Sequence, residues 1–147
     1  MNYFKSSNIE DFLTSLEQDS YPMKPCSKDD ILKLVKFSPT RTLPKTYLDF
    51  MNKAGNGIEF LGGTDYSMKY IFDLKEWAIE LLEENNYTKK LTDNQFIFMM
   101  HQGYMFWFFD LNDGDEPAVY CYDESVELDD FNKVSDTLSD FLFSLYN

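Results

Sequence analysis

Apolar residues in the first part of the chain recur at intervals of three and four, which is the spacing of amphipathic helices. Ser7 and Glu10 have the spacing of a capping box, and the first helix is predicted to bury Ile9, Phe12, Leu13 and Leu16. A second, short helix is expected to begin near Ser27, with carboxylates in its first turn and one apolar face.

Two further helices are predicted between residues 44 and 86. Pro44 suits the first turn of the third helix. Gly55-Asn56-Gly57 is expected to end it, because glycine readily takes the left-handed conformation that such an ending needs. Residues 58–61 are expected to form a short strand. The fourth helix is predicted from about residue 70 to residue 86, with an apolar stripe formed by Leu74, Trp77, Ala78, Leu81 and Leu82.

After residue 93 the pattern changes to strands. Residues 96–100 and 104–111 are predicted to pair as a hairpin through the turn at 101–103, and residues 118–122 to form a third strand. Residues 131–134 are expected to form an edge strand, and Ser135 to cap a last helix. Residues 104–109 are all apolar, which indicates a central strand covered on both faces and leaves homodimerisation open. These elements predict a single α+β domain over residues 1–147.

Composition narrows the range of partners. The 147 residues carry a net charge of −13, from 26 acidic and 13 basic residues, which disfavours nucleic acid and anionic membrane surfaces. A basic partner complements this charge, although solubility alone also accounts for it. Residues 1–12 contain no apolar signal region, so a cytoplasmic protein is expected, with Cys26 and Cys121 as free, packed thiols.

Most of the negative charge lies in residues 110–140. Eleven acidic residues there are opposed by Lys133 alone, so the segment carries −10 of the total −13. Most of these carboxylates fall in predicted turns, where they would form an acidic rim at the end of the sheet. Such a rim is either a solvated face or a surface for a basic protein, with aromatic side chains as anchors. The candidate partner-binding residues are Asp113, Asp115, Glu116, Glu124, Glu127, Asp129, Asp130, Tyr104, Tyr120 and Tyr122.

The candidate motifs for metal binding and catalysis do not have the spacing that this chemistry needs. If Asp110 opened a calcium-binding loop, the required glycine would fall on Asp115 and the closing glutamate on Cys121. His101, the single histidine, lies in a predicted turn without a catalytic motif, and the two cysteines form no C-x-x-C pair. The glycine pairs match no phosphate-binding loop. We therefore expect no enzymatic activity, no metal and no cofactor.

A family resemblance becomes visible in the third predicted helix. Residues 43–50 read LPKTYLDF and are followed by Asn56-Gly57, which resembles the LP-x-x-Y-x-x-F…NG signature of the SUKH superfamily, the Smi/Knr-type proteins. The similarity continues through the predicted strands and the closing helix. It covers most of the chain from Leu43 onward. The resemblance implies an α+β fold with a central, largely antiparallel sheet flanked by helices.

The resemblance also implies a function. Bacterial members typically look like immunity proteins that bind and neutralise a cognate toxin, often a nuclease, and no shared catalytic residues come with the family. We therefore expect an immunity-type protein with a basic toxin as its partner. A regulatory scaffold without a toxin remains an alternative. An enzyme of unknown type that uses His101 or Cys121 is a third.

Overall fold

The computed structural model describes residues 9–146. The helices are α1 (Ile9–Gln18), α2 (Lys28–Phe37), α3 (Lys45–Ala54), α4 (Leu74–Glu84) and α5 (Leu138–Tyr146). The strands are β1 (Met23–Lys24), β2 (Gly57–Ile58), β3 (Gln95–His101), β4 (Met105–Asp110), β5 (Val119–Asp123) and β6 (Asn132–Ser135). The predicted capping box of the first helix involves Ser7, which lies outside the described residues.

The centre of the fold is a four-stranded antiparallel sheet in the order β3-β4-β5-β6, and β1 and β2 form a separate antiparallel pair. Within the four-stranded sheet, strands that follow one another in sequence are neighbours, so short loops connect them, whereas α2 and α3 lie between β1 and β2. The expected α+β fold, with an antiparallel sheet and flanking helices, is confirmed.

The two faces of the central sheet are covered differently. Phe106 lies opposite Tyr122, and Phe108 opposite Tyr120, so these four rings share one face, which we call the loop face. Its rings contact Phe131, which lies 5.0 Å from Phe108 between ring centroids, just before β6. The other face, which we call the helix face, carries the intervening residues of the two strands, including Trp107 and Phe109 of β4 and Cys121 of β5.

Helices α3 and α5 cover the helix face. Tyr47 of α3 lies 5.3 Å from Phe109, and Phe141 of α5 lies 6.0 Å from Trp107, measured between ring centroids. Phe109 is completely buried. The all-apolar strand predicted from the sequence is therefore buried within one chain. Helices α3 and α5 cover one face, and on the other face Phe131 packs against Phe108 while Tyr87, which follows α4, packs against Tyr122.

The segment before residue 43 packs into the same core. Phe12 of α1 meets Phe143 of α5 edge-on, with ring centroids 5.1 Å apart. Helix α2 begins directly after Ser27, as predicted. Ser27 and Asp30 form a capping box that the sequence analysis did not predict, in which the Ser27 hydroxyl accepts from the Asp30 N–H and the Asp30 carboxylate accepts from the Ser27 N–H. Leu34 is the fully buried residue of this helix.

Glycine was expected at the end of α3 because of a left-handed conformation, and for Gly55 this reason is wrong. Gly55 does end α3, but its φ of −67° and ψ of −13° are right-handed, so the position does not need glycine for its conformation. It needs glycine for space, since a Cβ there would lie 2.2 Å from the Cys26 sulfur and 2.6 Å from the Met51 carbonyl oxygen.

The strand expected at 58–61 is only Gly57–Ile58, followed by a 3-10 helix over Glu59–Leu61.

Two other predicted boundaries also change. Helix α4 begins at Leu74, because turns occupy residues 68–73, and Trp77 of its predicted apolar stripe is 36% exposed. Ser135 does not cap the last helix, because it belongs to β6. Thr137 takes that role, with its hydroxyl accepting from the Asp140 N–H at 3.1 Å.

The close packing around Gly55 generates a stability prediction. Gly55→Ala is expected to lower the free energy of unfolding by about 1–3 kcal/mol, because the new methyl group must displace the Cys26 sulfur or the α3 backbone. Urea denaturation measures the change. Asn52→Ala, at an exposed position of the same helix, is the control and should leave stability nearly unchanged. A Gly55→Ala protein as stable as the control would contradict the steric explanation.

Candidate protein-binding surface

The β4–β5 loop, residues 111–118, uses its carboxylates as hydrogen-bond acceptors within the protein, although only that of Glu116 is half-buried. Asp115 caps α3: its carboxylate accepts from the Lys45 N–H at 3.0 Å and its carbonyl accepts from the Thr46 N–H at 3.3 Å. Pro44, the residue at the N-cap position of α3, provides no side-chain cap of its own. A residue 70 positions away in sequence therefore satisfies donors that a helix start leaves unpaired.

Glu116 performs the corresponding role for α5. Its Oε1 accepts from the Ser139 N–H at 2.8 Å, and its Oε2 accepts from the Ser139 hydroxyl at 2.6 Å and the Thr46 hydroxyl at 3.0 Å. One half-buried carboxylate thus links the first turns of α3 and α5, where the helix dipoles favour negative charge. Sequence reasoning placed Glu116 on an exposed rim, whereas the structure engages both of its oxygens internally.

Asp113 also stabilises this loop, since its Oδ2 accepts from the Ala118 N–H at 2.9 Å. Its side chain nevertheless remains exposed. The predicted acidic turn is thus present, but Asp115 and Glu116 within it serve the fold.

The β5–β6 loop, residues 124–131, presents its carboxylates to solvent, and we call it the acidic loop. Glu124, Glu127, Asp129 and Asp130 are all exposed. Glu124 accepts from the Asn85 side chain at 3.2 Å, and Asp130 lies 3.5 Å from the Lys89 ammonium. Both partners of that ion pair are more than half exposed, so it contributes little to stability. These four carboxylates face solvent and remain available to a partner.

Two apolar side chains interrupt the charges of the acidic loop. Val126 is 49% exposed and Leu128 is 47% exposed, and Val134 in the following edge strand is 42% exposed. Isolated exposed apolar residues are ordinary, whereas a group of them indicates a contact surface. Sequence reasoning missed these residues, although the alternation in residues 126–130, VELDD, is a signal for them.

The three candidate tyrosines differ in availability. Tyr104 is half-buried beside His101, and its carbonyl accepts from the Glu124 N–H at 3.1 Å, which places it at the start of the acidic loop. Tyr120 is half-buried and stacks on Phe108. Tyr122 is only 8% exposed, and its hydroxyl accepts from Asn85 at 3.0 Å. Tyr122 therefore acts mainly as a core residue.

Two cavities flank the acidic loop. The first, of about 480 Å³, has the stacked rings of Phe108 and Tyr120 and three carboxylates in its lining, those of Asp110, Asp113 and Asp130. We call it the acidic cavity. The second, of about 230 Å³, is the apolar groove, lined by Met105, Trp107, Cys121, Val126, Leu128 and Val134 together with polar neighbours. Asp130 lines both cavities, so the acidic loop contributes to the lining of each.

Within residues 9–146, no group of three His, Cys, Asp or Glu side chains is placed to hold a metal ion. Burial, and secondarily Asp30, raises the pKa of Cys26 to about 12, and burial with Asp123 raises the pKa of Cys121 to about 12. Both thiols are therefore protonated near neutral pH and are poor nucleophiles. None of the helices in this part of the chain is long and apolar enough to cross a membrane.

An antiparallel sheet with α3 and α5 on its helix face, and an exposed acidic loop that borders cavities reaching Phe108 on one face and Trp107 on the other, defines an α+β domain with a candidate protein-binding surface. The family model of the SMI1/KNR4 family (SUKH-1) matches residues 25–144, and the chain belongs to this family. The match begins before Leu43 and includes α2, which extends the resemblance seen in the sequence. A comparison with curated proteins finds no match.

The internal role of Glu116 predicts a stability effect. Glu116→Ala is expected to lower the free energy of unfolding by about 2 kcal/mol, because it leaves the Ser139 N–H and the Thr46 hydroxyl without their acceptor. Glu127→Ala, in the exposed acidic loop, is the control and should change stability little. Equal urea midpoints for the two variants would show that the carboxylate bridge is unimportant.

The buried thiols predict a dependence of stability on alkaline pH. The pKa of each thiol rises from 9.0 to about 12 on folding, so between these values the folded state holds more protons than the unfolded state. Stability is therefore expected to be complete below pH 9 and to fall as pH rises above it. Urea denaturation at pH 8.0, 9.0 and 10.0 checks this, and the Cys26→Ala/Cys121→Ala variant should show a smaller decrease. An unchanged decrease would assign the effect to other groups.

Proposed function

We propose that the protein is an immunity-type protein that binds and neutralises a cognate toxin domain through the acidic loop and the two cavities beside it. The observation that carries the proposal is the exposure of Val126 and Leu128 among Glu127, Asp129 and Asp130. Apolar side chains supply burial at an interface, and the surrounding charges select a partner of opposite sign. Family membership supports binding to a toxin in general.

The charge distribution supports a basic partner. Residues 110–140 carry −10, and after the internal use of Asp115 and Glu116 the exposed remainder includes the whole acidic loop. A concentrated negative surface accelerates encounter with a positive one and weakens with salt. Enzymes that act on nucleic acid carry basic surfaces to meet phosphates, so a nuclease toxin fits this complementarity.

The proposed contact residues are fewer than those expected from the sequence. Glu124, Glu127, Asp129 and Asp130 provide charge, and Asp113 adds one carboxylate in the acidic cavity. Tyr120 in that cavity is the aromatic anchor, and Tyr104 borders the loop. Asp115, Glu116 and Tyr122 contribute indirectly by holding the surface in place.

Stoichiometric binding without catalysis is part of the proposal. The raised pKa of both thiols opposes nucleophilic chemistry, and the ring contact of His101 is with Tyr104, which is not a catalytic partner. We further propose that the protein acts in the cytoplasm, where free thiols such as Cys26 and Cys121 remain reduced.

A regulatory scaffold that binds a basic cellular protein is the second candidate, because the same surface would serve it. The adjacent gene distinguishes the two functions. A neighbouring toxin gene whose product binds this protein supports immunity, whereas a neighbouring gene product that neither binds nor is toxic favours the scaffold.

Charge reversal of the acidic loop tests the proposed surface. Asp129→Lys/Asp130→Lys is expected to weaken binding of the neighbouring gene product roughly tenfold or more, because attraction becomes repulsion at the centre of the surface. Isothermal titration calorimetry at 50 and 300 mM salt, in which the separated neighbouring gene product is titrated into the wild-type protein or the variant, measures the affinity. Wild-type affinity should fall with salt, and the variant should be less sensitive to it.

A matched control keeps the change in net charge equal. Glu76→Lys/Glu80→Lys reverses two exposed carboxylates of α4 that border neither cavity, and it should retain most of the wild-type affinity. Equal weakening by both double variants would mean that only total charge matters. Full binding by the Asp129/Asp130 variant would exclude the acidic loop as the contact.

A further inference from the structure

The apolar groove differs in charge from other apolar cavities of the protein. The charged residues in its lining are Asp123 and Asp130, both acidic. A cavity beside Phe37 and Phe96 includes Lys75, and a cavity beside Ile79 and Leu91 includes Lys89 and Lys90. An apolar site whose charged neighbours are all carboxylates favours an apolar group that is flanked by positive charges.

The walls of the groove come from both rigid and exposed parts of the fold. Trp107 and Cys121 lie opposite each other on β4 and β5 and form a firm base, with Trp107 held against Phe141. Val126, Leu128 and Val134 form exposed sides. The volume of about 230 Å³ is suited to one apolar side chain, since a cavity of roughly 150 Å³ holds benzene.

We propose that the apolar groove accepts a single aliphatic or aromatic side chain from a segment whose flanking residues are lysine or arginine. This rests on the proposed function and names the recognition element of its partner. The flanking cations lie against the acidic loop, and the apolar side chain inserts toward Trp107. A second copy of this chain is a poor occupant, because each copy carries a net charge of −13 and would bring a second acidic surface to the groove.

Trp107 provides a direct readout. The chain has two tryptophans, so Trp77→Phe leaves Trp107 as the single reporter, at the base of the groove. The probes are two synthetic heptapeptides with blocked ends, lysine or arginine at six positions, and either leucine or serine at the centre. At low salt the leucine peptide is expected to change Trp107 fluorescence and to bind roughly tenfold tighter than the serine peptide.

Variants separate insertion from general attraction. Leu128→Ala/Val134→Ala removes apolar lining without changing charge and should abolish the preference for leucine. Leu32→Ala/Ile79→Ala, at exposed apolar positions elsewhere, should preserve it. Equal binding of the two peptides to the reporter protein, or an undiminished leucine preference in Leu128→Ala/Val134→Ala, would overturn the inference. A dimer in sedimentation equilibrium that the same two substitutions dissociate would also overturn it, in favour of a second copy.

The outcomes remain separate from those of the proposed function, because the peptides contain no toxin sequence. A leucine preference with no binding by the neighbouring gene product supports the groove and contradicts immunity to that protein. Toxin binding without any leucine preference leaves the immunity proposal standing and overturns the groove.

Discussion

The need to cover β4 on both faces governs the architecture. A strand with Phe106, Phe108 and Phe109 buried cannot stand at the edge of a sheet or face solvent, so it lies between β3 and β5. Helices α3 and α5 cover the helix face. On the loop face, Phe131 at the end of the acidic loop packs against Phe108, and the cover is incomplete. The acidic cavity lies where this cover ends, with Phe108 in its lining, so packing and the candidate surface have one origin.

The acidic segment contains two kinds of carboxylate with opposite physical roles. Asp115 and Glu116 accept hydrogen bonds from backbone and hydroxyl donors at the starts of α3 and α5, so their main role is to hold these helices to the β4–β5 loop. The carboxylates of the acidic loop are all exposed, and the internal contacts of Glu124 and Asp130, to Asn85 and Lys89, are also at the surface, so an interface can use their charge at little cost. Net charge counts both kinds of carboxylate equally, whereas their hydrogen-bond partners distinguish them.

Sequence patterns predicted the parts of the fold that depend on local periodicity. The helices, the hairpin of β3 and β4 and the central position of β4 follow from spacing and turn residues, and the start of α2 near Ser27 follows from the carboxylates of its first turn. The caps supplied by Asp115 and Glu116 could not be predicted, because they join residues 70 and 23 positions apart. The steric need for glycine at position 55 could not be predicted, because Cys26, the neighbour that excludes a Cβ there, is distant in sequence. The exposed set of Val126, Leu128 and Val134 could not be predicted, because only the folded structure brings the two loop residues and the edge-strand residue to one groove.

The placement of the helix caps has a consequence for how such a protein can diversify. Asp115 and Glu116 bind the β4–β5 loop to two helices, so substitutions there carry a cost in folding. The acidic loop begins and ends on the same sheet but caps no helix, and Glu127 and Asp129 project into solvent. Mutations can therefore alter the shape and charge of one loop while the other preserves the scaffold. A lineage built on this fold can follow a changing partner through substitutions in residues 124–130, with little loss of stability.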